Sequence, residues 1–209
     1  LKSLKNPVTS TIYASNKEPI GYYYLQNRSN ADSSQIKPPL IQALVATEDS
    51  RFYEHRGIDY KSYARVLIKS IILQQNAGGG STITQQVAKN LFGREQQFFL
   101  STPINKIREI FIARRLESIY DKEDIILLYF NTVSFGENIY GIEKAAFRFF
   151  NKAPEELTLP ESATLVGLLK APSYYNPRNF PERAEQRRNV VLSQMLKYDY
   201  ITPETFEEA

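Results

Sequence analysis

The sequence of 209 residues contains no cysteine and no tryptophan, and it has one histidine, His55. Without cysteine there is no disulfide, no thiolate nucleophile and no cysteine metal site. A single histidine excludes multi-histidine metal centres, and only His55 is available as the base of a Ser-His-Asp triad. The lack of cysteine suits an extracytoplasmic protein without requiring one.

Strong charge and long hydrophobic runs are also lacking. The net charge of +3 is too small to predict nucleic-acid binding. No apolar run approaches the ~20 residues of a membrane span, and there is no signal peptide. Since the chain begins with Leu1 and not with methionine, this does not argue against an anchor in a longer protein. Hydrophobic residues at 42% and charged residues at 23% are ordinary for a globular fold.

The sequence pattern predicts a mostly α fold with a small N-terminal β segment. β-branched and aromatic residues around a polar turn indicate a hairpin over residues 9–25, followed by a polar connector. We therefore place one segment at residues 1–35 and the main domain at residues 36–209. Apolar periodicity in that domain predicts helices at residues 40–46, 61–75, 83–91, 102–120, 125–130, 142–150, 159–169 and 181–198, with a short one after Pro203.

The sequence also predicts which face of one helix is buried and where one loop lies. In the helix over residues 102–120, the spacing of Ile104, Ile107, Phe111 and Ile119 predicts a buried stripe. Residues 131–138 lack periodicity, and we expect a loop there.

Residues 46–59 contain the first candidate catalytic residue. Glu48 follows an apolar helix and falls on the face of Ile41, Leu44 and Val45. A carboxylate there must be paired, be solvated in a cleft, or have its pKa raised by desolvation. On the pattern alone, a surface ion pair at a helix end is the better interpretation.

A second candidate follows the glycines at residues 78–80. Thr82 and Gln85 have capping-box spacing, and the free N–H groups of a helix start attract anions. Residues 89–122 carry seven basic and four acidic side chains, an excess that suits a phosphate-bearing ligand, an anionic membrane surface or a solvated helix. The apolar triplet at residues 98–100 either enters the core or contacts lipid.

Five stretches occur together in a recognisable order. Their residues are 48–52 with His55 and Gly57, 80–86 with Lys89 and Asn90, 106–109, 129–131 with Gly136, Gly141, Ala145 and Ala146, and 161–168 with Ala171, Pro172, residues 175–177, Arg187 and Arg188. They closely resemble the signature motifs of peptidoglycan glycosyltransferases, the transglycosylase domains of class A penicillin-binding proteins and of monofunctional wall polymerases.

The resemblance implies a lysozyme-like helical domain with two lobes. It implies processive polymerisation of lipid II on the periplasmic side of the bacterial cytoplasmic membrane, by a protein anchored through an N-terminal helix outside this sequence. Glu48 would be the general base on the 4-hydroxyl of the acceptor GlcNAc, and undecaprenyl pyrophosphate would leave donor MurNAc with inversion. Glu109 would be the second catalytic acid and would orient the donor, through a divalent ion or directly.

The resemblance also implies a substrate-binding set. Lys89 and Arg108 would hold the pyrophosphate, and Arg187 or Arg188 would add to that anion site. Sugar and phosphate oxygens would be contacted by Ser81, Thr82, Gln85 and Gln86. His55 would be a structural hydrogen-bonding residue. The full set is Asp49, Ser81, Thr82, Gln85, Gln86, Lys89, Lys106, Arg108, Asn131, Arg187 and Arg188.

The implied partners are lipid II, the growing glycan strand, a membrane surface near Phe98, Phe99 and Leu100, and a transpeptidase domain in the same chain. Nucleic acid is not a partner. We expect no tightly bound cofactor, with Mg²⁺ or Mn²⁺ supporting activity.

Two departures fall in the pyrophosphate region. Ser101 stands where the family usually has arginine, and Asn105 with Lys106 replaces an Arg-Lys pair. Pyrophosphate affinity would then be reduced or be supplied by Arg94. Two alternatives stay open: a lysozyme-like enzyme that cleaves glycan, and a catalytically silent lipid-binding module of a wall-synthesis assembly.

Overall fold

The computed structural model of the chain describes residues 10–13, 19–23, 27–28, 30–67, 80–93 and 101–209. Within these ranges the chain is mostly helical with a few short strands, which confirms the predicted fold class. The glycines at 78–79, Arg94 and the triplet at 98–100 lie outside the described residues. The helix predicted over residues 61–75 is described only as far as Leu67.

The predicted N-terminal hairpin is present. Strands β1 (Ser10–Tyr13) and β2 (Pro19–Tyr23) pair antiparallel, with Thr11 opposite Tyr22. Strand β3 (Asn27–Arg28) pairs in parallel with a strand more than a hundred residues later.

The described chain forms two compact units. The terminal unit comprises Leu1–Ala43 and Phe130–Ala209, and the central unit comprises Leu44–Tyr129. The main helices are α1 (Pro38–Glu48), α2 (Tyr60–Leu67), α3 (Ile83–Phe92), α4 (Ser101–Leu116), α5 (Lys122–Thr132), α6 (Ile142–Phe150), α7 (Leu159–Leu168), α8 (Pro181–Lys197) and α9 (Pro203–Glu208).

Local sequence explains where most of these helices begin. The Thr82 hydroxyl accepts a hydrogen bond from the Gln85 N–H at 3.2 Å, and the Gln85 side chain returns to the Thr82 N–H at 3.1 Å, which confirms the predicted capping box. Asp121 caps α5 by accepting from the Asp124 N–H at 2.8 Å. That helix therefore starts at Lys122, earlier than the sequence indicated.

The predicted buried stripe on α4 was wrong. Ile104, Ile107, Phe111 and Ile119 are between 38% and 70% exposed. The buried face of α4, which packs against α3, instead carries Asn105, Glu109, Ala113 and Leu116. Periodicity finds residues that share a helix face, but here the inward face includes two polar side chains, of which Glu109 accepts a hydrogen bond from Lys106.

The predicted loop over residues 131–138 was also wrong in part. It contains strand β4 (Ser134–Gly136), which pairs antiparallel with β5 (Ile139–Tyr140). Glu137 and Asn138 join the strands with φ of 49° and 58°, the two left-handed residues of a type I′ turn. Strand β5 also pairs with β3, so three very short strands form one sheet.

In the terminal unit, α7 packs closely against α8. Gly167 permits this approach, since a Cβ at that position would lie 3.0 Å from Cγ of Arg187. Ala163, Leu165, Val166 and Val191 are fully buried in this unit. Among the described helices, none combines the length and hydrophobicity that crossing a bilayer requires.

Candidate active site

Glu48 is the last residue of α1, directly after the buried Leu44 and Val45. Its carboxylate oxygen Oε2 accepts a hydrogen bond from Nε2 of Gln86 at 2.9 Å. Within the described residues it forms no ion pair. Glu48 is thus half-buried beside an amide, and the surface ion pair that the pattern alone favoured is not seen.

Gln86 is held at both ends of its amide group. While Nε2 donates to Glu48, Oε1 accepts from the Tyr129 hydroxyl at 3.2 Å. Tyr129 is fully buried; burial, reinforced by the negative charge of Glu48, raises its pKa well above the ordinary value. Tyr129 therefore stays neutral and keeps donating, which fixes Gln86 with its N–H toward the carboxylate.

A second polar cluster surrounds the ammonium of Lys106. Its Nζ lies 2.7 Å from Oγ of Ser81, 3.2 Å from Oε2 of Glu109 and 3.4 Å from Oε1 of Gln85. The i,i+3 spacing of Lys106 and Glu109 on α4 produces their contact. Glu109 is buried, whereas Lys106 is half-buried, so the positive charge is the more accessible of the two.

Gln85 joins this cluster to the start of α3. Its Oε1 accepts from the Tyr63 hydroxyl, the Thr82 N–H and Lys106, which uses the acceptor fully. Its Nε2 is buried and has no hydrogen-bond partner among the described residues. A buried, unused N–H donor beside a lysine is available to an oxygen of a ligand.

Consecutive residues of α3 thus serve the two clusters: Gln85 contacts Lys106, and Gln86 contacts Glu48. A transglycosylase family model matches residues 16–196. The chain belongs to the transglycosylase family.

Similar proteins support this assignment. Penicillin-binding protein 1A of Escherichia coli is 40% identical over the whole chain, and that of Aquifex aeolicus is 43% identical. These alignments cover 24% and 28% of the two relatives, so the chain spans about a quarter of their length. A 2.6 Å crystal structure of penicillin-binding protein 1A from Haemophilus influenzae matches 99% of the chain and 20% of its own, with 27% identity and a TM-score of 0.55.

The comparisons confirm the resemblance that the motifs indicated. With it they confirm that this transglycosylase domain is an enzyme of the peptidoglycan glycosyltransferase class. The role of each residue depends on the contacts that its side chain makes.

Asp49 has a structural role in the transglycosylase domain. Its buried carboxylate accepts from Nε2 of His55 at 3.0 Å and from the Ile83 N–H at 3.1 Å. It therefore ties the residue after Glu48 to the first turn of α3, where the helix dipole favours a negative charge. Thr82 adds a second tie, since its hydroxyl donates to the Gly57 carbonyl at 2.7 Å.

A buried network behind these residues was not anticipated from the sequence. The Glu117 carboxylate accepts from the Thr84 hydroxyl and from Nζ of Lys122, the latter at 2.8 Å. Lys122 also donates to the His55 carbonyl at 2.7 Å and lies 4.3 Å from the Phe52 ring centroid. The only sequence signal was an acid and a base five residues apart, which predicts no contact by itself.

Asp59 anchors the chain between the first motif and α2. It accepts from both Arg51 and Ser62, with the Arg51 Nε at 3.1 Å and the Ser62 N–H at 3.1 Å. Burial opposes the charge, but the hydrogen bonds from Arg51 and Ser62 outweigh it and hold the pKa of Asp59 well below its usual value.

The remaining predicted ligands of the transglycosylase domain lie apart from these clusters or serve other contacts. Lys89 in the last turn of α3 and Arg108 on α4 are exposed. Asn131 is buried in the terminal unit, where its amide binds both the N–H and the carbonyl of Ala31, at 2.9 and 3.0 Å. Those bonds fix the connector before α1, and a contact of Asn131 with substrate stays a prediction.

The two arginines of the fifth motif also lie in the terminal unit. Nε of Arg187 lies 3.4 Å from the Gly167 carbonyl, and Arg188 contacts Asn189 and, at 3.7 Å, Glu185. Their predicted part in binding an anion is not tested by these contacts.

A divalent ion at Glu109 needs several oxygen ligands. The Glu109 carboxylate is engaged by Lys106, and the described residues contain no group of three acidic or histidine side chains that could hold a metal. The residues present do not fit a protein-held cation at Glu109, and no step below is assigned to one.

Proposed function

We propose that this domain polymerises lipid II, transferring the growing glycan strand with inversion to the 4-hydroxyl of an acceptor GlcNAc. The observation that carries the proposal is the placement of Glu48 against Gln86. One carboxylate oxygen is occupied by the Gln86 amide, and the other, Oε1, has no partner among the described residues. That oxygen is available to take the proton of an incoming hydroxyl.

In this mechanism Glu48 is the general base. The deprotonating acceptor oxygen attacks C1 of the donor MurNAc, the bond from C1 to the pyrophosphate oxygen breaks, and undecaprenyl pyrophosphate leaves. Gln86 positions the base, because its amide is itself fixed by Tyr129. A correctly placed general base contributes about 10²- to 10⁴-fold to a rate.

Lys106 is the cation we assign to the leaving pyrophosphate. It is accessible and is held in place by Ser81, Gln85 and Glu109, so it can stabilise developing negative charge without reorganising. Glu109 then acts by orienting Lys106, in place of the metal-mediated role that the family resemblance left open. Lys89 and Arg108 are proposed as further phosphate contacts on the same two helices.

The parent protein and its setting are part of the proposal. Relatives carrying the name penicillin-binding protein 1A support a longer chain with a transpeptidase domain, anchored at the periplasmic side of the cytoplasmic membrane. Support of activity by Mg²⁺ or Mn²⁺ stays a prediction; a chelator titration measures it.

One experiment separates this proposal from the alternatives. The protein is incubated with labelled lipid II, and the products are resolved by length. Polymer made by the wild type and by Glu123→Gln, an exposed acid of α5, but not by Glu48→Gln supports the proposal. Degradation of finished glycan would favour a lysozyme-like enzyme, and binding without turnover would favour a silent module.

A further inference from the structure

A cationic cavity lies in the central unit, lined by residues 51–61 and by Arg114 of α4. It has a volume of about 310 Å³, in the range of small-ligand sites. Of its charged groups, Arg51 and Asp59 neutralise each other. Arg56, Lys61 and Arg114 are exposed and have no acidic partner among the described residues, and one acid, Glu54, opposes them.

An apolar hollow of about 300 Å³ adjoins this cavity. It is lined by Ile58, Tyr60, Tyr63, Ile110, Phe111 and Arg114. Ile58, Tyr60 and Arg114 line both spaces, so the two are adjacent. A molecule with an anionic head and a hydrocarbon tail would meet three cations and an apolar surface side by side.

The walls of the cationic cavity are fixed by backbone packing and not by the cations themselves. Gly57, with φ of 78°, approaches α4 so closely that an added Cβ would lie 3.0 Å from backbone atoms of Ala113 and Arg114. Its carbonyl also accepts from Thr82. The segment bearing Arg56 and Lys61 is therefore held against the helix turn that bears Arg114.

The apolar surface continues along the helix. Ile104, Ile107 and Phe111 are all more than half exposed and share one face of α4 at i, i+3 and i+7. Tyr60 is also exposed, and tyrosine is a side chain that suits a boundary between hydrocarbon and water.

From this juxtaposition we infer that the central unit has a binding site for an anionic phospholipid. Arg56, Lys61 and Arg114 hold the phosphate of the headgroup, and an acyl chain lies over Tyr60 and Phe111. No hydrogen bond in the described residues links these three cations to Glu48, Gln86 or Lys106. Tyr63 lines the hollow and also donates to Gln85, so the hollow borders the cluster around Lys106. Binding of a phospholipid is measured without lipid II, so the inference stands whether or not the mechanism above is correct.

The test is flotation with vesicles of phosphatidylcholine alone or of phosphatidylcholine with phosphatidylglycerol. Three proteins are compared: wild type, the site variant Arg56→Gln/Lys61→Gln/Arg114→Gln, and a control variant Lys37→Gln/Arg115→Gln/Lys170→Gln. The control removes the same charge from exposed positions outside the cavity, and Arg115 adjoins Arg114 on α4. Circular dichroism verifies that all three are folded.

We expect the wild type and the control to bind the anionic vesicles with affinities within about fivefold of each other, since the control keeps all three cations of the cavity. The site variant should bind about 100-fold more weakly, from about fivefold for each cation at an anionic surface. Tyr60→Ser/Phe111→Ser should also weaken binding, through loss of the acyl contact.

Three results would overturn the inference. Equal weakening in the site and control variants would mean that total charge, and no built site, drives binding. Unchanged binding by the site variant would mean that the cavity takes no lipid. Displacement of the protein by millimolar inorganic phosphate, beyond the effect of sodium chloride at equal ionic strength, would identify a site for free phosphate.

Discussion

The buried ion pair of Lys122 and Glu117 gives a quantitative prediction about how the central unit is held together. Lys122→Met keeps the length and packing of the side chain but removes its charge. It leaves the Glu117 carboxylate, whose side chain is 5% exposed, with the Thr84 hydroxyl as its remaining partner among the described residues, and it frees the His55 carbonyl. An uncompensated buried charge is the main source of destabilisation.

The magnitude follows from burial. Removing one partner of a fully buried ion pair lowers the free energy of unfolding by about 3–5 kcal/mol. Because the Lys122 side chain retains 19% exposure, we expect a loss of about 3 kcal/mol. For a chain of this size that corresponds to a fall in Tm of about 6–12 °C. Urea unfolding followed by circular dichroism measures the free energy directly.

A matched pair in the terminal unit isolates the effect of burial. Lys152 and Glu161 are also 2.8 Å apart, but their side chains are 36% and 19% exposed. Glu161 keeps its hydrogen bonds to Thr158 when the lysine is lost. Lys152→Met should therefore cost about 0.5–1 kcal/mol. Equal costs for the two substitutions would refute the argument from burial, as would a cost below about 1 kcal/mol for Lys122→Met.

Two further predictions concern the segment after Glu48. Asp59→Asn should destabilise the protein at neutral pH. Because folding lowers the pKa of Asp59, the deficit in unfolding free energy should persist in full above the unfolded pKa of about 3.9 and shrink progressively as pH falls below it toward the folded value. An unfolding series from pH 6 to pH 2 measures this, and a constant deficit would contradict it. Gly57→Ala should lower the free energy of unfolding by about 2–5 kcal/mol, because its φ is positive and an added Cβ would contact Ala113. Gly93→Ala should lower it less, because no atom lies within 4 Å of an added Cβ there. Urea unfolding measures both values. A larger cost at Gly93 would contradict the close packing.

Local signals in the sequence were sufficient for most of the helices. The capping box of Thr82 and Gln85 located α3, and α6 has the bounds that periodicity predicted. Each of these signals acts within one or two helical turns, so the sequence alone contains the relevant physical information.

The errors arose where distant residues decide the outcome. Strands β4 and β5 are too short for a periodic pattern, and β5 is stabilised by pairing with β3 from the far end of the unit's sequence. On α4 the apolar residues share a face as predicted, but the buried face carries Asn105 and Glu109, and the Glu109 carboxylate accepts from Lys106. Hydrophobic periodicity cannot anticipate a polar interior.

In the candidate site, too, contacts within one helix could be predicted from the sequence and contacts between distant helices could not. The contact of Lys106 with Glu109 followed from their spacing on one helix. The contact of Glu48 with Gln86, and of Gln86 with Tyr129, joins three helices that are far apart in sequence, and no local pattern indicates it. The family motifs named these residues as a set, and the structure supplies the hydrogen bonds between them. The boundary assigned at residue 35 stays a prediction.

The most direct test of the account is the initial rate of lipid II polymerisation by Glu48→Gln, measured beside its affinity for lipid II. The substitution keeps the size of the side chain and an oxygen for Gln86 but cannot take a proton. We predict a rate at least about 100-fold below wild type with lipid II binding unchanged. A rate within about fivefold of wild type would show that Glu48 is not the base.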